Sequence, residues 1–112
     1  MKKWEKRYVE LETVVGEYLA YKLTGISNGH IAKRKLQIGQ DAINRINFLL
    51  KIICCLRGAY NNEGIGRWFY RRRGELRNKP PYFILHEDCW HPNEEGPQKI
   101  LQLAKGVNSE AT

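Results

Sequence analysis

The chain has no uninterrupted apolar run long enough to cross a bilayer. The longest, over 48–56, is broken by Lys51 and falls well short of the roughly 20 residues a helical span needs. The first twelve residues, MKKWEKRYVELE, alternate charge too quickly to hold the apolar core of a targeting segment. No membrane partner is therefore expected. Cysteine is scarce: Cys54 and Cys55 are adjacent and Cys89 stands apart. An odd count with one vicinal pair is no disulfide framework, so the expected compartment is the reducing cytoplasm. There is no Gly-rich phosphate loop, no HExxH and no Ser/His/Asp signature. No catalytic residue and no cofactor is assigned, and the chain is not expected to be an enzyme. His86, Cys89 and His91 crowd into HEDCWH but lack a fourth ligand at a zinc spacing, so no metal is assigned either. Cys54 and Cys55, inside an apolar helical pattern, read as small buried hydrophobes.

What is present is a basic, moderately apolar chain of one-domain length. It has 112 residues, 42% of them hydrophobic, with twelve aromatics counting Trp, Tyr and Phe together. That is enough to build a core without staples. Nineteen Lys and Arg against twelve Asp and Glu leave a net charge of +7, which suits a nucleic acid or an acidic protein face and says nothing of the fold.

Periodicity predicts an all-α class, a compact bundle of about six helices, two of them short, with no substantial sheet. Trp4, Tyr8, Leu11, Val15 and Tyr18 recur at spacings of four and three, one face of a single helix that ends at Gly25. Ser27 is an N-cap candidate for a short helix over 28–36 that carries Ile31 and Ala32 inward. A longer, central helix is expected over 40–57, striped by Ile43, Ile46, Leu50 and Ile53 and widened by Leu49 and Leu56. After a turn over 61–64, a short helix is expected over 65–72. Pro80 and Pro81 are suited to open another short helix bearing Tyr82, Ile84 and Leu85. A loop over 86–96 and a last helix over 97–105 follow, with a frayed tail over 105–112. The chain is thus one domain over 1–112, with N-terminal helices over 1–43 and a second module over 44–104.

Two stretches carry candidate sites. The order IAKRKLQIGQDAINRI over 31–46 suggests a helix-turn-helix, with Gln40, Asn44 and Arg45 as exposed base readers and Lys33, Arg34 and Lys35 as phosphate contacts. One residue too many separates Ala32 from Gly39 for the tight turn of that motif, and the plainer reading is two core helices with a kink. The second stretch is GIGRWFYRRRGELRNK over 64–79. Ile65, Trp68 and Phe69 share a helical face and would anchor it to the core. Arg67, Arg71, Arg72, Arg73 and Arg77 remain. Cations near a helix C-terminus are favoured by its dipole, by about 0.3–1 kcal/mol each when exposed. That accounts for one or two of them, not five. Over 65–79 five arginines and one lysine meet one glutamate, a local balance of +5. Guanidinium clusters of this kind suit bidentate contacts to carboxylates or phosphates.

The same region carries a resemblance. Leu56-Arg57 and Tyr60 precede Glu63-Gly64, then Arg67-Trp68-Phe69, then Arg73 and Leu76, then Pro81 with Ile84-Leu85. Trp90, Pro92, Gly96, Ile100-Leu101 and Leu103-Ala104 follow. This order, over about 44–104, resembles the toxin-binding domain of Xre/MbcA/ParS-type antitoxins. The family's turn before the proline commonly holds Gly-Gly or Gly-Lys, whereas Arg77-Asn78-Lys79 stands here. The resemblance implies a non-catalytic module that docks on and neutralises a RES-domain, NAD-consuming toxin. It also implies a DNA-binding part ahead of the module that represses its own promoter. Trp68, Leu76, Ile84, Leu85, Ile100 and Leu103 would then form the small core, and the five arginines would face outward to grip the partner. The alternatives are a small basic DNA-binding regulator, or an accessory subunit of a larger protein or nucleoprotein assembly. The N-terminal helix offers a further way to pair, with its own copy in a homodimer.

Overall fold

Gly16 splits the expected first helix in two. The computed structural model describes residues 2–27 and 38–110, with side chains placed through residue 107. They form six α-helices: α1 (Lys3–Val15), α2 (Glu17–Thr24), α3 (Gln40–Leu56), α4 (Asn62–Tyr70), α5 (Pro81–Ile84) and α6 (Glu95–Glu110). A 3-10 turn at Gly74–Leu76 lies between α4 and α5. Among the described residues there is no strand, only an isolated antiparallel bridge between Arg73 and Lys79, and no helix is long and apolar enough to cross a membrane. The all-α class is the one the periodicity predicts. The helix expected over 28–36 lies outside the described residues.

At Gly16 the backbone takes φ 93° and ψ 160°, a region open essentially to glycine alone. The break resets the helical phase. Trp4, Tyr8, Leu11 and Val14 are buried along α1, and Leu19, Ala20 and Leu23 along α2. Val15 is only half-buried, and Tyr18, expected on the inner stripe, is 65% exposed. A Cβ at position 16 would meet nothing within 4 Å, so a side chain there would suffer from backbone strain and not from crowding. Gly16→Ala is expected to lower stability by about 1–3 kcal/mol, read as a shift in the urea midpoint at unchanged slope. The second helix ends, as expected, on Gly25 in the left-handed conformation.

The central helix, α3, buries Ile46, Leu49, Ile52, Ile53 and Leu56. It packs against α1 and, most extensively, α6. Ile43 and Leu50 sit at the half-buried margins of its apolar face, and Phe48 takes a buried place instead. The cysteines depart from expectation: Cys54 is exposed and Cys55 half-buried, because α3 turns its 54 side toward solvent. The last helix begins two residues early, with Pro97 in its first turn where a missing N–H is harmless, and continues to Glu110 instead of ending at 105. Its buried stripe is Pro97, Ile100, Leu101 and Ala104. Leu103, expected in the core, lies half-buried at the edge of that stripe, as Ile84 does on α5. Trp68, Leu76, Leu85 and Ile100 are buried as expected.

Two polar side chains close the core. The Tyr8 hydroxyl donates to the Ile26 carbonyl at 2.5 Å. Burial, aided by the Glu12 charge, pushes its phenol up to about 12. The Trp90 indole N–H donates to the Leu23 carbonyl at 3.1 Å, and its ring lies 5.8 Å from that of Phe48. The loop before α6 is thereby pinned to both α2 and α3.

Candidate functional site: a basic rim on a buried tryptophan

The rim begins at a capped helix. The Asn61 side chain accepts from the Gly64 N–H at 2.8 Å, so α4 starts inside the segment read from sequence as a turn. An N-cap asparagine of this kind satisfies one of the orphan donors of the first turn. Ile65, Trp68 and Phe69 are buried. The rings of Trp68 and Phe69 meet edge to face at 5.4 Å, a favoured arrangement of aromatic quadrupoles.

Past α4 the chain turns extended at Arg71 and Arg73 and doubles back through a tight loop. The Arg73 carbonyl accepts from Leu76 N–H at 3.0 Å and from Asn78 N–H at 2.9 Å. Arg77 N–H donates to Gly74, Lys79 N–H to Leu76, and Arg73 N–H to the Lys79 carbonyl. Arg77 and Asn78 are both left-handed, at φ 57° and 63°. Asparagine tolerates that region, whereas arginine is strained there by roughly 1–2 kcal/mol. The dense local hydrogen bonding, with Leu76 buried beneath as an anchor, holds the strain in place and presents Arg77 from a stiff tip.

The five arginines do not share one fate. Arg67 is exposed and paired with Glu63 one turn earlier. Arg73, expected to face outward with the others, is half-buried with its guanidinium 4.4 Å from the centroid of the Trp68 ring. Burial pushes its pKa down, the Tyr60 phenol acts the other way, and the neighbouring charge of Arg71 lowers it further. Its Nε is buried without a hydrogen-bond partner. Arg73 therefore caps the tryptophan. Arg71, Arg72 and Arg77 are exposed and make no ion pair among the described residues. Beside the loop, a shallow pocket of about 190 Å³ alternates Glu75, Arg77, Glu95 and Lys99 around Leu76 and Ile84. Its mixed charge favours no single ligand.

The duplex-reading site fares differently. Gln40 and Asn44 are exposed and hydrogen-bonded to each other at 2.9 Å. Arg45, expected as an exposed reader, is buried, and its Nε donates to the Trp90 carbonyl at 2.6 Å. Tertiary burial has made it a strut between α3 and the 86–94 loop. Lys33, Arg34 and Lys35 lie outside the described residues. Sequence reading found Trp68 from its helical spacing. It missed the joint role of Arg45 and Trp90, whose only local signal is one tryptophan in an otherwise polar loop. His86 approaches Glu87 at 3.9 Å, and no group of three or more metal-ligating side chains is found among the described residues.

Comparison with family models, with curated proteins and with solved structures finds no match to this chain.

Proposed function

We propose that the chain is a non-catalytic, antitoxin-like binding module that docks its arginine rim on an acidic face of a protein partner, of the RES-domain toxin type. One observation carries the reading. Arg71, Arg72 and Arg77 stand exposed and, among the described residues, without ion pairs on a segment anchored by the buried Trp68 and Leu76. Holding three like charges together in this way is unfavourable for the isolated protein, and an acidic partner relieves the repulsion. A rigid mount also spares the ordering entropy that long side chains on a mobile loop would lose on binding. The burial of Arg45 removes one of the three base readers from the duplex-DNA alternative, so the protein-docking reading is preferred.

The test is isolation of the partner from the native host, its identification by mass spectrometry, and affinity measurement with the purified pair. Arg71→Glu with Arg72→Glu is expected to weaken binding about 10- to 100-fold, mostly through a slower on-rate, while the melting temperature stays put. Equal affinity of the double variant and the wild type would overturn the assignment.

A further inference from the structure

The basic rim has an aromatic neighbour that the docking reading does not use. The bridge between Arg73 and Lys79 closes the loop so that the end of α4, at Tyr70, comes against the start of α5, at Pro81. The rings of Tyr70 and Tyr82 meet there, their centroids 5.0 Å apart. From α2, Lys22 reaches the same place, its ammonium 5.3 Å from the Tyr18 ring and 5.7 Å from the Tyr82 ring. Tyr18 is 65% exposed and Tyr70 45%. The Tyr18 hydroxyl raises the Lys22 pKa, with Tyr82 and Tyr70 adding smaller effects, as expected of three phenols grouped about one ammonium. Alongside, the Lys79 ammonium lies 4.7 Å from the ring of Phe83, itself 54% exposed.

Three phenol rings from three separate helices thus converge on one face, with Lys22 over two of them and Arg71 and Arg72 following directly on Tyr70. Core packing accounts for Tyr82, which is half-buried against the core, but not for Tyr18 and Tyr70, which are 65% and 45% exposed. The combination matches what unpaired nucleic acid needs: flat rings on which bases stack, and cations spaced along them for the phosphates. A duplex would keep its bases stacked on one another and leave the rings unused. An apolar or proline-rich peptide would use the rings and leave the lysines and arginines unmatched. Charge complementarity therefore decides for the polyanion.

We propose that the face formed by Tyr18, Lys22, Tyr70 and Tyr82, bordered by Lys79 and Arg72, is a stacking platform for single-stranded nucleic acid. The proposal shares Arg72 with the partner-docking reading but rests on the aromatic face, which that reading does not use, and its tyrosine variants leave the arginines in place.

The probe is a fluorescent oligothymidine of about fifteen nucleotides, titrated with the full chain at about 50 mM salt and read by anisotropy. An abasic oligomer of equal length, with the same charge and no bases, is the comparison. Oligothymidine should bind about 10-fold or more tightly than the abasic strand, and more tightly than a duplex of the same length. Tyr70→Leu with Tyr82→Leu should weaken it about 10-fold or more, whereas Tyr70→Phe with Tyr82→Phe, which keeps the rings, should bind like wild type. Should the leucine pair fail to fold, Tyr18→Leu at its highly exposed position provides the same reading, with an expected loss of about 5-fold or more. Equal affinity for the two strands, preference for the duplex, wild-type affinity in the folded leucine variant, or no binding at all would each overturn the proposal. Capture of a proline-rich peptide on this face in place of the oligomer would also overturn it and reassign the face to protein.

Discussion

Trp68→Ala is expected to lower the unfolding free energy by about 3–5 kcal/mol, the range for emptying an aromatic site in a packed core. The indole is 2% exposed, meets Phe69 edge to face, and has the Arg73 guanidinium 4.4 Å from its ring centroid. Removing it deletes apolar burial and leaves a cavity that α4 cannot close, because Ile65 and Phe69 are already committed on the same face. It also strips Arg73 of the ring that compensates its partial desolvation. For a domain near this size, the loss should lower the melting temperature by about 15–25 °C, which is a large part of the total stability of such a domain. A double-mutant cycle with Arg73→Ala should return a coupling of about 0.5–2 kcal/mol. A melting temperature within a few degrees of wild type would show that Trp68 does not anchor the rim.

The second large effect is expected at Trp90. This residue is fully buried, although it sits in a stretch of His, Glu, Asp, Cys and Asn. Its ring packs near Phe48, its N–H reaches Leu23, and its carbonyl holds Arg45. Trp90→Ala should cost about 3–5 kcal/mol, because the cavity opens where α2, α3 and the loop meet. Trp90→Phe keeps most of the apolar volume but strands the buried Leu23 carbonyl, and should cost about 1–3 kcal/mol. Chemical denaturation with an unchanged slope reads both numbers. If phenylalanine is as damaging as alanine, the hydrogen bond and not the packing dominates. If alanine is tolerated, the loop is not held by its tryptophan.

Both residues were visible in the sequence in different degrees. Trp68 shares a face with Ile65 and Phe69 at spacings of three and four, and a helix of that pattern buries that face whatever it packs against. The same logic located α3, the glycine stop at 25 and the proline start of α5. It failed at Gly16, because a glycine within an apolar-periodic stretch is compatible with an unbroken helix as well as with a corner. The choice was made by α2, which must turn to place Leu19 and Leu23 against the core. It failed at Arg45 for a similar reason. An arginine four residues after Asp41 on an exposed-looking helix reads as solvated, and only a carbonyl 45 residues away makes its burial tolerable. Arg73 was expected among the outward-facing cations. Its place over Trp68 depends on the extended backbone after α4, which local composition does not reveal.

The rim and the aromatic face divide along the same line. The +5 balance over 65–79 is a property of composition, and no fold could remove it. Which of those charges would stay in water was decided by the loop, whose hydrogen bonds tie Arg73 inward and hold Arg77 out. The grouping of Tyr18, Tyr70 and Tyr82 has no local signature, since the three belong to separate helices.

By itself, the order of residues determined that the chain is helical, where most helices run, and that a positive stretch follows a tryptophan bound for the interior. Those outcomes rest on short-range spacing, which each segment carries within itself. Only tertiary packing decided which arginines are buried, that the first helix bends, and that three distant phenols gather around one lysine. Such outcomes depend on surfaces brought together from far along the chain, where desolvation and partner geometry, absent from any local window, set the balance.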